Sequence, residues 1–192
     1  IPAIDDLGRK CTDELAPKQV SSACSQLGKK HILTETFGCS GNDVTPYELK
    51  SVGDMQYFLG VNKMCQHLYP YTLARGGKTD HPPVFSRHGN WYDGFKTFNE
   101  YFNRLGYIIA NTRENADVAI IHPIRDIWLD YIREIDHASV KDTEERFAAL
   151  MGDLRKKGVT YQFIDETLLK KYGRNEADGL RVGERLYKTV LM

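Results

Sequence analysis

Apolar positions recur with two different periods along this chain. Over "TDELAPKQVSSACSQLGKK", Val20, Ala23, Cys24 and Leu27 fall at i, i+3, i+4 and i+7, which predicts a helix ending near Gly28 with Pro17 in its first turn. A short strand is predicted over residues 32–36, inside "HILTETFGCSG". "GNDVTPYELKSVGDMQYFLGVN" reads as a helix over residues 45–60. Asp43 or Thr45 would cap it, Pro46 suits its first turn, and Tyr47, Leu49, Val52, Met55 and Leu59 form its apolar face. A strand over residues 63–68 runs into "ARGGKTDHPPVFSRHGN", whose three Gly and two Pro mark a loop. From Trp91 a long helix carries an aromatic stripe of Phe95, Phe98 and Phe102, continued by Leu105 and Ile109.

Beyond Asn115 the pattern changes. "ADVAIIHP" is a continuous apolar run stopped by Pro123, as in a strand buried on both faces. An amphipathic helix with Phe147, Leu150 and Leu154 follows and stops at Gly158. A strand in "VTYQFI", a helix from Asp165 and a third strand in "ERLYKTVLM" come next. Strands alternating with helices predict an α/β fold with parallel sheets. The change of pattern places a boundary in "NTRENA", dividing residues 1–113 from 114–192.

Composition narrows the functional classes. Lys+Arg and Asp+Glu both number 26, so no basic excess points to nucleic acid or an anionic membrane surface. The apolar runs fall far short of the roughly 18 residues that span a bilayer. Cys11, Cys24, Cys39 and Cys65 show no C-x-x-C spacing, and are expected to be free, mostly buried thiols. His81 and His88 lie seven apart with Asp80 nearby. Without H-E-x-x-H or a close ligand pair, no metal site is expected. "PIRDIW" follows the apolar run "VAIIH" where a phosphate-binding turn would need glycines, so no nucleotide or other cofactor is expected. The opening without Met and the apolar ending read as a piece of a longer protein, which leaves the cellular compartment open.

Glu35 is the most informative residue, a carboxylate closing an apolar strand just before Gly38-Cys39-Ser40-Gly41. Glutamate is rarely buried without a partner, so this position invites a functional reading beside a purely capping or ion-pairing one. Gln66 and His67, at the end of the next strand, offer donors and acceptors suited to sugar hydroxyls. Arg75, Asp80, His81 and His88 sit on the long loop, where binding groups are common. Trp91 would either stack on a sugar ring or anchor its helix.

The blocks "LTETFGCSG", "GDMQYFLGVNKMCQHL", "KTDHPPVFSRHGNWY" and "ADVAIIHPIRDIW" give the chain a resemblance to the C-terminal part of large bacterial glycoside hydrolases related to families 2 and 42. In those proteins a catalytic (β/α)8 barrel precedes a flavodoxin- or glutaminase-like domain, called the trimerisation domain in family 42. The resemblance implies about two βα units from the end of the barrel, then the start of a flavodoxin-like parallel sheet. Residues 32–36 would be barrel strand seven and 63–68 strand eight. It implies that Glu35 is the nucleophile of a retaining glycosidase, with Gln66 and His67 orienting a carbohydrate substrate. The acid/base, at the end of strand four, would lie outside this chain, and the chain alone would be inactive. No Cys lies beyond Cys65 to serve as a glutaminase nucleophile. The rival expectation is a non-catalytic flavodoxin-like module for assembly or glycan binding. Homo-oligomer contacts are expected of the truncated barrel, because its strands leave a face uncovered.

Overall fold

The structure, a computed structural model, describes residues 1–9, 14–131 and 137–192; Cys11 lies outside the described residues. The chain forms two compact units, Ile1–Glu114 and Asn115–Met192. Both are α/β, built from parallel sheets and helices.

The first unit is a three-stranded parallel sheet in the order β1 (Ala3–Asp6), β2 (Leu33–Thr36), β3 (Lys63–Gln66), each strand followed by a helix: α1 (Leu15–Gln26), α2 (Pro46–Phe58) and α3 (Phe95–Ala110). A βα unit, β1–α1, thus precedes the two strands read from the apolar pattern. Its four residues, Ala-Ile-Asp-Asp, carry too little hydrophobic pattern to announce a strand. Asn62 aligns the start of β2: its side chain accepts from the Ile32 amide (3.0 Å) and donates to the Lys30 carbonyl (2.9 Å). Helix α2 begins on a reciprocal cap. The Thr45 hydroxyl accepts from the Glu48 amide, and the Glu48 carboxylate accepts from the Thr45 amide.

Two clusters fill this unit. One joins Cys24, Ile32, Tyr57, Val61 and Phe102. The other joins Phe37, Val44, Leu49, Val52 and Phe85. The stripe on α3 links them, with Phe98 packed against Phe37 and Phe102. Two expected core positions face water instead: Tyr47 is 82% exposed and Leu27 is 37% exposed. The face α1 buries is largely polar, with Lys18, Ser21, Ser22 and Gln26 beside Cys24. Lys18 is accommodated because it pairs with Glu114.

In the second unit β4 (Val118–Ile121) lies between β5 (Tyr161–Ile164) and β9 (Thr189–Leu191), all parallel. Helices α4 (Ile124–Asp130), α5 (Ala138–Lys156) and α6 (Glu166–Tyr172) connect them. An antiparallel meander of β6 (Gly173–Glu176), β7 (Gly179–Val182) and β8 (Arg185–Tyr187) precedes β9. The run "ERLYKTVLM" is therefore two strands in two sheets rather than one. Val182 and Tyr187 of the meander pack on Ala119 and Ile164 of the parallel sheet, and the Tyr187 hydroxyl donates to Gln162 at 2.6 Å.

Candidate functional site

Strand register sorts the carboxylates and amides of the first sheet onto two faces. Asp5, Glu35 and Cys65 are register partners in one row, and Asp6, Thr36 and Gln66 form the next. Successive residues point to opposite faces, so the two rows project oppositely. The second row faces the helices. Gln56 of α2, fully buried, donates to Asp6 (2.7 Å) and to Thr36 (3.0 Å), and Gln66 donates to Asn99 of α3 (2.8 Å). The first row lies on the opposite face, with Asp5 and Cys65 exposed and Glu35 half-buried. Among the described residues Glu35 has no hydrogen-bond or ion-pair partner for its carboxylate. Asp5, one strand away at the roughly 4.8 Å spacing of paired strands, adds a second carboxylate that the sequence pattern did not single out.

Beyond the strand ends three loops are tied together. Gly8 and Gly38 are joined by an amide–carbonyl bond of 2.7 Å, the Ser40 hydroxyl donates to the Gly8 carbonyl (2.6 Å), and the Gly41 amide donates to the Pro82 carbonyl (3.2 Å). Arg9 clamps the same region to the start of α2, bonding Asp43 at 2.8 Å and both oxygens of Glu48 at 2.9 and 3.2 Å. Hydrogen bonds from Arg9 first, then from the Thr45 amide and hydroxyl, hold the Glu48 carboxyl down at about 2.

His67 continues the β3 ladder through its amide to the Thr36 carbonyl (2.8 Å). Its ring covers Gly38, where a Cβ would stand 3.1 Å from the imidazole. The His67 ring centre lies 5.4 Å from that of His81, and His81 Nδ1 is 2.9 Å from Cys39 Sγ. The thiols divide differently from expectation: Cys24 is buried, while Cys39 and Cys65 are exposed. Exposure follows because Cys39 stands on the loop after β2, and Cys65 on the sheet face opposite α2 and α3. Phe37, fully buried, has φ +76°, a left-handed backbone that turns the chain sharply after Glu35.

The loop residues fall into two groups. Arg75 and Asp80 are exposed, and neither has an ion-pair partner among the described residues. His88 and Trp91 line a hollow of about 290 Å³ with Asn42, Asn90, Leu73, Pro83, Val84 and Gly89. Trp91 is held edge-on against Phe85 (5.5 Å) and tilted against Phe95 (6.1 Å). Glu35, Gln66 and His67 are not among the residues lining this hollow. The structure thus groups His88 with Trp91 and sets Glu35 in a row with Asp5 and Cys65, while the His67 ring lies against Gly38 and His81 and Gln66 turns toward α3. Nothing in local periodicity marks Asn42 or Asn90, which the loops alone bring beside Trp91.

Among the described residues no group of three His, Cys, Asp or Glu side chains is placed to hold a metal ion, and no helix is long and apolar enough to cross a membrane. In the second unit His122 is packed between the rings of Phe147 and Phe163, and burial favours its neutral form.

No family model matches the chain. It is 32% identical over 110 residues to a Formosa agariphila protein that bears the name β-glucuronidase, a match covering 55% of this chain and 10% of that protein. Its fold matches part of a solved rhamnosidase from Novosphingobium with a TM-score of 0.66 at 15% identity, covering 98% of this chain and 18% of the rhamnosidase. The chain therefore spans about a tenth of the length of the curated relative.

Proposed function

We propose that this chain is a segment of a retaining glycoside hydrolase and that Glu35 is its nucleophile. The observation that carries the reading is the placement of Glu35. It is the last residue but one of a parallel strand, on the face away from the helices, half-buried, with its carboxylate unpaired among the described residues. Two similarities support the reaction class: one relative is named as a glucuronidase, and the fold is shared with part of a rhamnosidase. In this reading Ile1–Glu114 is the end of a (β/α)8 barrel, whose active site lies at the C-terminal strand ends. Asn115–Met192 is the start of a flavodoxin-like domain for packing or assembly.

The chemistry follows from the carboxylate. A Glu35 oxygen attacks the anomeric carbon and forms a glycosyl ester as the glycosidic C–O bond breaks. An acid supplied from outside this chain protonates the departing oxygen. The same group then deprotonates a water, which cleaves the ester and frees Glu35. His67, two residues beyond Cys65, the register partner of Glu35, would orient a hydroxyl. Gln66 would have to leave Asn99 to share that task. The isolated chain, lacking the acid, would not turn over.

The test uses the longer protein containing this chain. Glu35→Gln should abolish hydrolysis of a susceptible aryl glycoside, and added azide should restore turnover as a glycosyl azide of inverted configuration. Unchanged hydrolysis by Glu35→Gln would remove Glu35 from the mechanism. A second reading, glycan binding without cleavage, is favoured by the hollow beside Trp91, which does not involve Glu35. Absence of hydrolysis across aryl glycosides, with sugar binding retained, would select it.

A further inference from the structure

We propose that the hollow lined by Asn42, His88, Asn90 and Trp91 is a saccharide subsite that accepts an uncharged sugar ring and discriminates against uronates and sulfated sugars. The inference rests on the glycosidase reading for its ligand class, and on the lining residues for its selectivity.

The hollow measures about 290 Å³, just below the roughly 300–1,000 Å³ of small-molecule sites, which limits its occupant to a ring or two. Its walls combine the two surfaces that a pyranose presents. Trp91, Leu73, Pro83 and Val84 offer apolar area to C–H groups. The carboxamides of Asn42 and Asn90 and the His88 imidazole offer both donors and acceptors for hydroxyls. None of those three side chains has a hydrogen-bond partner among the described residues, so their capacity is unspent on the protein. Trp91 is preorganised, because Phe85 and Phe95 pack against it.

The same lining sets the selectivity. Among the described residues it contains no Arg, Lys, Asp or Glu. A carboxylate or sulfate seated against Trp91, Leu73, Pro83 and Val84 would give up part of its water without meeting a permanent positive charge, which is unfavourable. Neutral hydroxyls lose far less and are re-paired by the amides. The larger groove along α2, about 620 Å³, is a weaker candidate because its charges are already matched: Arg9 with Glu48, and Asp54 with Lys50.

The chain has two tryptophans, so a ¹⁵N-labelled sample gives two indole N–H signals, and Trp91→Phe assigns them. Methyl glycosides of a neutral hexose, a 6-deoxyhexose and a pentose are titrated at neutral pH, alongside methyl glucuronide and a 6-sulfated hexoside. At least one neutral glycoside should shift the Trp91 signal saturably and leave the Trp128 signal in place. Asn42→Ala and His88→Ala, both at exposed positions, should each weaken that binding about fivefold while the rest of the spectrum is unchanged. The charged glycosides should bind at least about tenfold more weakly. Silence of the Trp91 signal with every neutral glycoside would overturn the proposal. So would binding unaffected by both substitutions, or a charged sugar bound as tightly as the best neutral one. Glu35→Gln separates the two assignments: the Trp91 shift should persist in it, and loss of the shift would place the sugar at Glu35 and not in the hollow. A persistent shift in this chain, with turnover of the longer protein insensitive to Glu35→Gln, would reject the nucleophile and leave the subsite standing.

Discussion

Replacing Phe37 by alanine and by glycine separates side-chain packing from backbone conformation at the turn behind Glu35. Phe37 is fully buried, with ring neighbours Phe85 at 5.9 Å and Phe98 at 6.0 Å, so truncation to alanine should cost about 3–5 kcal/mol. Its φ of +76° adds a second quantity. A side chain bearing Cβ pays about 1–2 kcal/mol in the left-handed region, and glycine does not. Against that relief, glycine loses one more buried methyl, about 0.8 kcal/mol. It also loses about 0.4–1 kcal/mol through the freer unfolded chain. The terms nearly cancel, so Phe37→Gly should be about as stable as Phe37→Ala. Phe98, inside α3, is the control: there glycine should be worse than alanine by about 1–2 kcal/mol, because no strain is relieved. The assay is urea unfolding followed by Trp91 fluorescence in a Trp128→Phe background. Trp91 packs on Phe85 and so reports on the cluster that holds Phe37, while Trp128 is 67% exposed. The same glycine-minus-alanine difference at both positions would refute the strain argument.

Two further outcomes follow from local geometry. The Glu48 carboxyl is held at about 2 rather than its ordinary 4.5, chiefly by Arg9, so its stabilisation is fully present above about pH 4.5 and is lost as pH falls toward 2. Melting temperatures of wild type and Glu48→Gln should therefore differ most above pH 4.5 and converge toward pH 2; a constant gap across that window would contradict the linkage. Gly53→Ala, which on helix propensity alone should stabilise α2 by about 1 kcal/mol, should instead destabilise by about 1 kcal/mol. Its Cβ would stand 2.5 Å from Phe102 Cζ, on a ring wedged between Tyr57 and Phe98, and a raised urea midpoint would show that the ring can move aside.

Where one element carries its own signal, the pattern of residues sufficed. A capping Asp43 or Thr45 ahead of Pro46 announces the start of α2, and the stripe of Phe95, Phe98 and Phe102 on α3 needs only the helical repeat to be read. Strand β1 was missed because Ala-Ile-Asp-Asp is short and half acidic; its pairing with β2 makes it a strand. The meander was missed although Asp178-Gly179, a strong hairpin signal, opens β7. Buried Lys18 contradicts its side-chain chemistry until Glu114, 96 residues away, is placed beside it.

The candidate site divides along the same line. That a carboxylate stands near the end of a strand at Glu35, and that the loop before Trp91 is rich in polar groups, follow from residue order alone, as does the α/β class from strands alternating with helices. Tertiary structure decided which face each side chain joins. Register puts Glu35 beside Asp5 and away from Gln66, although residue order pairs it with Gln66 at the end of the next strand. Loop packing brings Asn42 to His88 and Trp91, and Cys39 to His81 across 42 residues. The reason is physical: periodicity records geometry repeated every two or 3.6 residues along one element. Register and loop contacts are set by packing and hydrogen bonds between segments that share no local pattern.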